Sequence, residues 1–81
     1  MTKQEDDAFL IEVGDRLRSV RRSRRETQRD CADRCGLDRT YLSLVEHGKK
    51  NITLLSLRRI AGGYGVPLSY LLSLIEYEEL S

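Results

Sequence analysis

Apolar residues recur every three or four positions along most of the chain, which is the spacing of one buried helix face. The first such run follows a potential N-cap at Asp6 or Asp7 and extends to about Ser23. Its apolar stripe consists of Phe9, Leu10, Val13, Gly14, Leu17 and Val20. The alternation that β-strands show is hard to find. The pattern therefore predicts an all-α fold.

Two short helices should follow the first, separated from each other by about three residues. Thr27, with an acidic residue three positions later, has the form of a capping box, so the second helix should start there and end at Cys35. Gly36 allows a left-handed exit, and Asp38 can cap the third helix, which should end near residue 47. Short helices joined this tightly are typical of a helix-turn-helix.

The third predicted helix has an inward and an outward face. Leu42 and Val45 fall on the inward face, whereas Arg39, Thr40, Ser43 and Glu46 fall on the polar one. The first turn of a helix inserted into the DNA major groove presents side chains to base edges, and Arg39 there could donate two hydrogen bonds to guanine. The predicted base contacts are Arg39, Thr40, Ser43 and Leu44.

Two further residues of this helix need an interpretation of their own. Leu44 could touch a thymine methyl group, or it could simply be an exposed leucine. Glu46 would be repelled by phosphate if it faced the groove, so we expect it to pair with an arginine, with the first helix as the favoured source.

A fourth helix should begin after an N-cap at Thr53. Its apolar positions are Leu54, Leu57, Ile60, Ala61 and Tyr64. Gly62 and Gly63 each weaken a helix by roughly 1 kcal/mol relative to Ala, so we expect this helix to fray or stop early. Pro67 lies at the threshold of a fifth helix, from about residue 68 to residue 78.

The fifth predicted helix carries more apolar surface than a single small domain should need to bury. The residues concerned are Leu68, Tyr70, Leu71, Leu72 and Ile75. A chain of 81 residues forms one domain near the lower size at which a hydrophobic core is sufficient. We therefore predict a homodimer with this helix as its interface. A monomer that buries all these residues is the alternative.

The net charge of +1 conceals an uneven distribution along the chain. Residues 16–50 hold eleven Lys and Arg against five acids, whereas the segments on either side are acidic. Four arginines lie within residues 21–25 and would repel one another without an anion nearby. This clustering indicates a polyanionic partner, double-stranded DNA, although a solvated helix face would also account for single arginines.

Several polar residues near the second and third helices could contact the sugar-phosphate backbone. Gln28, beside the free N–H groups of a helix start, could hold a phosphate or brace a neighbouring side chain. Lys49, Lys50 and Asn51 follow the third helix in a polar loop. The full predicted set is Gln28, Arg29, His47, Lys49, Lys50 and Asn51, to which a family resemblance adds Tyr41.

Other site chemistry finds little support in the sequence. Cys31 and Cys35 are expected to be buried structural residues, with redox sensing as a minor hypothesis. With one His, no metal site is predicted, and no cofactor or enzymatic activity is expected because phosphate loops and nucleophile-base pairs are missing. No apolar run approaches the roughly 20 residues that cross a bilayer, so we expect no membrane contact and a cytoplasmic protein.

A resemblance to a known family covers about residues 14–72. The motifs that carry it are G-D-R-L-R-x-x-R from Gly14, T-Q-R-D-C-A-x-x-C-G-L-D-R-T-Y-L-S-x-V-E-H-G-K-K-N-I-T from Thr27, and G-V-P-L from Gly65. They resemble the phage-repressor and Cro (XRE) type of helix-turn-helix regulator. Within that type, D-R-T-Y-L-S followed by G-K-K-N-I-T in a short chain is most similar to the controller proteins of restriction–modification systems.

The resemblance implies a five-helix, lambda-repressor-like domain that dimerises through its last helix and binds a near-palindromic operator. For controller proteins it implies regulation of their own gene and the endonuclease gene, with RNA polymerase as a further candidate partner. It also implies that Gln28 braces the start of the second helix on DNA and that Tyr41 lies near the backbone. Two positions depart from the pattern: Cys31, where Leu is usual, and Gly62-Gly63, where a stronger helix former is usual.

Two other functional classes compete with this interpretation. An antitoxin or anti-repressor would use the apolar last helix to bind another protein, but it would need neither the arginine cluster nor the polar face of the third helix. RNA binding would call for aromatic stacking platforms, and the sequence has one Phe and four Tyr, mostly at predicted core positions.

Overall fold

The computed structural model describes residues 2–73, which contain five helices and no strand. Four of the helices are α1 (Lys3–Ser23), α2 (Gln28–Cys35), α3 (Arg39–Glu46) and α4 (Leu54–Tyr64). The fifth, α5, begins at residue 68 and is described to residue 73. The predicted all-α fold is confirmed. None of the helices in this described range is long and apolar enough to cross a membrane.

Short polar side chains set the start of each of the first four helices. Thr27, Asp38 and Thr53 cap α2, α3 and α4 as predicted, each accepting a hydrogen bond from a backbone N–H of the first turn. The predicted start of α1 at Asp6 or Asp7 is wrong. Thr2 is the cap, because its hydroxyl accepts a hydrogen bond from the Glu5 N–H at 3.1 Å and donates one to the Glu5 carboxylate at 3.2 Å.

The core forms where α3 packs against α1 and α2, and where α2 packs against α4. Its buried apolar residues are Val13, Leu17, Cys31, Ala32, Cys35, Leu42, Val45, Leu57, Ile60, Ala61, Tyr64 and Leu71. Two residues of the predicted stripes are exposed instead. Phe9 is 37% exposed because the first turns of α1 extend past the packed helices, and Leu54 is 66% exposed at the very start of α4.

Gly14 brings α1 and α3 unusually close together. A Cβ atom at this position would lie 2.5 Å from the carbonyl oxygens of both Val45 and Glu46. No real side chain tolerates that distance, so the residue must be glycine for α1 to reach the C-terminal turn of α3. This contact fixes one end of α3 against the longest helix of the fold.

The expectation that α4 stops early at Gly62 and Gly63 is wrong, because the helix continues to Tyr64. The physical reason lies at Gly63, where an added Cβ would lie 2.6 Å from Arg34 Nη1 and 2.7 Å from Cys35 Sγ. Arg34 also donates a hydrogen bond to the Gly63 carbonyl and lies over the Tyr64 ring, 4.4 Å from its centroid. Tertiary contact with α2 thus outweighs the weak helix propensity of glycine.

The two cysteines are buried, as predicted for structural residues, and both are free. Their Sγ atoms lie 4.0 Å apart, and Cys31 Sγ lies 3.3 Å from the Tyr64 hydroxyl. Burial raises the pKa of the Cys31 thiol to about 11, so the reactive thiolate is scarce at neutral pH. This environment does not favour a redox-sensing role. Within residues 2–73 no cluster of His, Cys, Asp and Glu could hold a metal ion.

The start of α5 contributes to the core of the chain as well as to its surface. Leu71 is only 1% exposed and Leu68 packs against the core, so both help to hold α5 on the domain. The assignment of Leu71 to a dimer surface is therefore corrected, because its side chain is already covered. Tyr70 and Leu72 are exposed as a partner surface would require, and Ile75 lies outside the described residues.

Candidate nucleic-acid interface

The faces of α3 are divided as the sequence predicts, except that Glu46 lies on the buried side. Leu42, Val45 and Glu46 are each 1% exposed on the side that meets α1 and α2. Thr40 and Leu44, four residues apart, lie on the opposite side of the helix and are exposed. The outward face therefore begins in the first turn, where Asp38 caps the helix, and continues for a second turn.

Five of the predicted DNA-contacting residues line one open depression on the surface. They are Gln28 of α2 and Arg39, Thr40, Ser43 and Leu44 of α3. Arg39 has no hydrogen-bond or ion-pair partner within residues 2–73, so its guanidinium is available to a ligand. The structure thus brings the start of α2 and the outward face of α3 into a single surface, which sequence alone did not define.

A buried polar network holds the opposite side of α3. Arg21 donates hydrogen bonds from Nε and Nη2 to the two Glu46 carboxylate oxygens, at 2.8 and 2.9 Å, and from Nη1 to the Glu26 carbonyl at 2.7 Å. The hydrogen bond with Glu46 raises the pKa of Arg21 above its ordinary value. The predicted pairing of Glu46 with an arginine of the first helix is confirmed. Its grouping with the outward polar face is wrong, because Glu46 is buried.

Gln28 joins this network to the exposed depression. Its Nε2 donates a hydrogen bond to a Glu46 carboxylate oxygen at 3.0 Å. A carboxylate can only accept, so this contact fixes the orientation of the Gln28 amide. Of the two roles considered for Gln28, the structure shows the bracing one, while its remaining N–H and its carbonyl oxygen stay available at the edge of the depression.

Part of the arginine cluster is structural. Arg21 is 9% exposed, and Arg18 donates a hydrogen bond to the Glu46 carbonyl at 2.8 Å. Arg34 pairs with Glu26 at 2.5 and 2.8 Å, which lowers the pKa of that carboxyl group. The sequence argument from mutual repulsion is therefore weakened, because Glu46 neutralises one of the four clustered arginines.

Most of the remaining cations of the basic segment face the solvent. Six of them are exposed and have no ion-pair partner within the described range: Arg22, Arg25, Arg29, Arg39, Lys49 and Lys50. Lys49 and Lys50 belong to the polar loop, residues 47–53, that connects α3 to α4. Of these six side chains, Arg39 lines the depression itself.

The polar loop is attached to α3 at both ends. His47 caps the helix, and its Nδ1 lies 2.7 Å from the Ser43 carbonyl oxygen, to which a protonated Nδ1 would donate. The Tyr41 hydroxyl accepts a hydrogen bond from the Thr53 N–H at 3.2 Å. Burial acts to raise the pKa of Tyr41, but hydrogen bonds to its oxygen from Ser56 and Thr53 outweigh it, and the pKa is lowered. The loop thus has a defined position beside α3.

Comparison with known proteins matches this geometry to a family. A helix-turn-helix family model matches residues 17–71. The control protein C.MunI of a Mycoplasma species is 41% identical over 69 residues, which cover 84% of this chain and 93% of that protein. The crystal structure of the controller protein C.AhdI from Aeromonas hydrophila superposes with a TM-score of 0.75 at 33% identity, covering 79% of this chain and 97% of that one.

A second solved controller extends the likeness over more of the chain. A mutant of the restriction–modification controller protein C.Esp1396I superposes with a TM-score of 0.79 at 30% identity, covering 90% of this chain and 92% of that one. The chain thus covers more than nine tenths of the length of C.MunI and of both solved controllers. The chain belongs to the helix-turn-helix (XRE-type) family, as a DNA-binding transcription regulator of the restriction–modification controller type and not an enzyme.

Proposed function

We propose that this chain acts as a homodimer on a near-palindromic operator in double-stranded DNA and regulates its own gene and a restriction endonuclease gene. The observation that carries the proposal is the depression in which Gln28 and the outward residues of α3 meet, with the unpaired Arg39 guanidinium in its lining. Occupancy of the operator would change the access of RNA polymerase to the promoter, and a DNA ligand implies action in the cytoplasm.

Base recognition is proposed for the outward residues of α3. The unpaired Arg39 guanidinium would donate two hydrogen bonds to N7 and O6 of guanine, which discriminates against other bases by about 1–3 kcal/mol. The Thr40 and Ser43 hydroxyls can donate or accept, so they would bond to either kind of base edge. The Arg21–Glu46 pair holds the buried side of α3, so the outward side chains would enter the groove from a helix of fixed position.

Backbone contacts are proposed for residues of α2, of α3 and of the loop that follows α3. They are Gln28, Arg29, Tyr41, His47, Lys49, Lys50 and Asn51. Lys49 and Lys50 are exposed in the loop, where a lysine contacts phosphate as a mobile point charge without reading sequence. Tyr41 accepts its hydrogen bond from Thr53 and therefore keeps its own O–H for a phosphate oxygen. Contacts of this kind fix the register of the protein on the duplex.

Dimerisation is proposed through α5. Tyr70 and Leu72 are 48% and 38% exposed at the described start of this helix, and paired copies would cover them. Leu68 is half-buried and would contribute its remaining surface, and Ile75 would extend the contact. Two-fold symmetry would place the two α3 helices one turn of DNA apart, about 34 Å, and this sets the separation of the half-sites.

Binding measurements on variants of Arg39 and Lys49 test the proposal. Duplexes are first selected from a random pool, and affinities for the selected and a scrambled duplex are then measured at several salt concentrations. Arg39→Ala should reduce the ratio of specific to non-specific affinity by about tenfold or more. Lys49→Ala should weaken both affinities equally and lower the salt slope by about one unit per protomer.

Three outcomes would contradict the proposal. If selection enriches no sequence, the chain does not bind DNA specifically. If wild type and Arg39→Ala show equal specificity ratios, α3 is not the helix that reads the bases. If sedimentation of the complex gives one chain for each selected duplex, the homodimer is wrong.

A further inference from the structure

An apolar pair occupies the centre of the outward face of α3. Thr40 and Leu44 are four residues apart, so they are neighbours on successive turns, directly opposite the buried face. The Thr40 side chain ends in one methyl group and that of Leu44 in two. Leu44 is 37% exposed, because it lies on the side of α3 that faces away from the core. The side of α3 that would face the groove most directly is thus partly apolar.

The surroundings of this pair are polar, and the Gln28 amide among them is held in place. Gln28, Arg39 and Ser43 line the same depression as Thr40 and Leu44. The Gln28 amide is oriented by Glu46, and α3 itself is held by the buried network, so Leu44 cannot turn toward the core without displacing buried residues. A ligand that fits this surface must combine hydrogen-bonding edges with an apolar group beside them.

The DNA major groove offers one apolar group of this kind, the C5-methyl of thymine, next to the O4 acceptor. We propose that Leu44, together with the methyl group of Thr40, binds a thymine methyl in the operator and is a specificity-determining residue of this chain. The inference rests on the proposed function, because it needs α3 to lie in the major groove. It assigns to Leu44 the discrimination of thymine from cytosine at one base pair of each half-site.

The position of that thymine follows from the length of the helix. Leu44 lies five residues after Arg39, an axial separation of about 7.5 Å at 1.5 Å per residue. Base pairs are stacked about 3.4 Å apart. The thymine should therefore lie within about two base pairs of the guanine that Arg39 contacts.

Deoxyuridine substitution tests the inference, because it removes the methyl group and leaves the hydrogen-bonding groups unchanged. Each thymine of the selected duplex is replaced in turn, and the affinity of the wild-type protein is measured. Loss of one methyl contact should weaken binding about three- to fivefold at one position of each half-site. 5-Bromodeoxyuridine at that position should restore the affinity, because bromine fills nearly the same space as the methyl group.

Two variants connect the effect to a residue. Leu44→Ala should bind the thymine duplex about three- to fivefold more weakly and should no longer distinguish thymine from uracil at that position. Leu55→Ala is the matched control, because Leu55 is a 66% exposed leucine on α4 outside the depression. This control should retain the full sensitivity to uracil.

The inference is overturned if uracil at every thymine leaves the affinity unchanged, in which case Leu44 is merely an exposed leucine. It is also overturned if Leu44→Ala keeps the sensitivity of wild type, because another residue would then contact the methyl group. Both results presuppose tight, sequence-specific binding of the unmodified duplex. Failure of the proposed function would instead appear as the absence of that binding.

Discussion

The buried pair of Arg21 and Glu46 should decide the stability of this domain, and Glu46→Ala tests this directly. The Glu46 side chain is 1% exposed and that of Arg21 10%. Alanine at position 46 would remove the acceptor of three hydrogen bonds of 2.8 to 3.0 Å and would leave the Arg21 charge buried without a counterion. An uncompensated buried charge costs about 3–5 kcal/mol.

The magnitude is large relative to the stability of the whole chain. At about 0.05–0.15 kcal/mol per residue, a domain of this size unfolds with a free energy of roughly 4–12 kcal/mol. Glu46→Ala should therefore lower the unfolding temperature by more than about 10 °C, and it could leave a substantial fraction of the protein unfolded at 25 °C. The exposed pair of Arg18 and Asp15, 3.6 Å apart with Asp15 62% exposed, provides the control. Asp15→Ala should cost less than about 1 kcal/mol.

Urea unfolding followed by far-ultraviolet circular dichroism, at one fixed chain concentration, measures these differences. The double variant Arg21→Met, Glu46→Leu removes both charges and should be much more stable than Glu46→Ala, within about 2 kcal/mol of wild type. The reasoning is refuted if Glu46→Ala costs no more than Asp15→Ala. Arg21→Met and Glu46→Leu are also measured singly, and the reasoning is refuted if their costs simply add in the double variant, because a coupled pair cannot behave additively.

Two further predictions concern α4 and the thiols. Gly62→Ala should stabilise the protein by up to about 1 kcal/mol in urea unfolding, because nothing lies within 4 Å of the added Cβ. Gly63→Ala should destabilise the protein, because its Cβ would overlap Arg34 and Cys35. Equal effects of the two substitutions on the free energy of unfolding would contradict the packing argument. Burial raises the pKa of Cys31 from 9.0 to about 11, so iodoacetamide should label the protein at neutral pH only after unfolding. Because the thiol ionises at lower pH in the unfolded chain, the free energy of unfolding should decline as the pH rises from about 9 toward 11. Rapid labelling of the native protein would contradict the burial of the thiol.

The helix limits were largely predictable because they depend on local chemistry. Thr27, Asp38 and Thr53 cap their helices through hydrogen bonds to residues two or three positions away, and such contacts can be recognised without a tertiary structure. The start of α1 was missed although its signal was present. Thr2 followed by Glu5 is itself a capping box, and it begins the helix earlier than Asp6 or Asp7 would.

The role of Arg21 was less apparent from the sequence. Counting cations placed it in a cluster available to an anion, yet it lies four residues after the buried Leu17 and therefore on the inward stripe. Periodicity could have shown its direction. It could not have shown that Gln28 shares the same carboxylate, because Gln28 and Glu46 are separated by 18 residues and meet only through packing.

The sequence by itself determined the all-α class, the tight connection between α2 and α3, and the residues that α3 turns outward, because side-chain periodicity and capping act within a few residues. Only the tertiary structure decided which cations remain for a ligand, how α4 passes through Gly62 and Gly63, and that Leu71 belongs to the core. Each of these depends on atoms far apart in the chain. Packing can then pair an arginine with a buried carboxylate, fill the space beside a glycine or cover a leucine, whatever the local pattern favours.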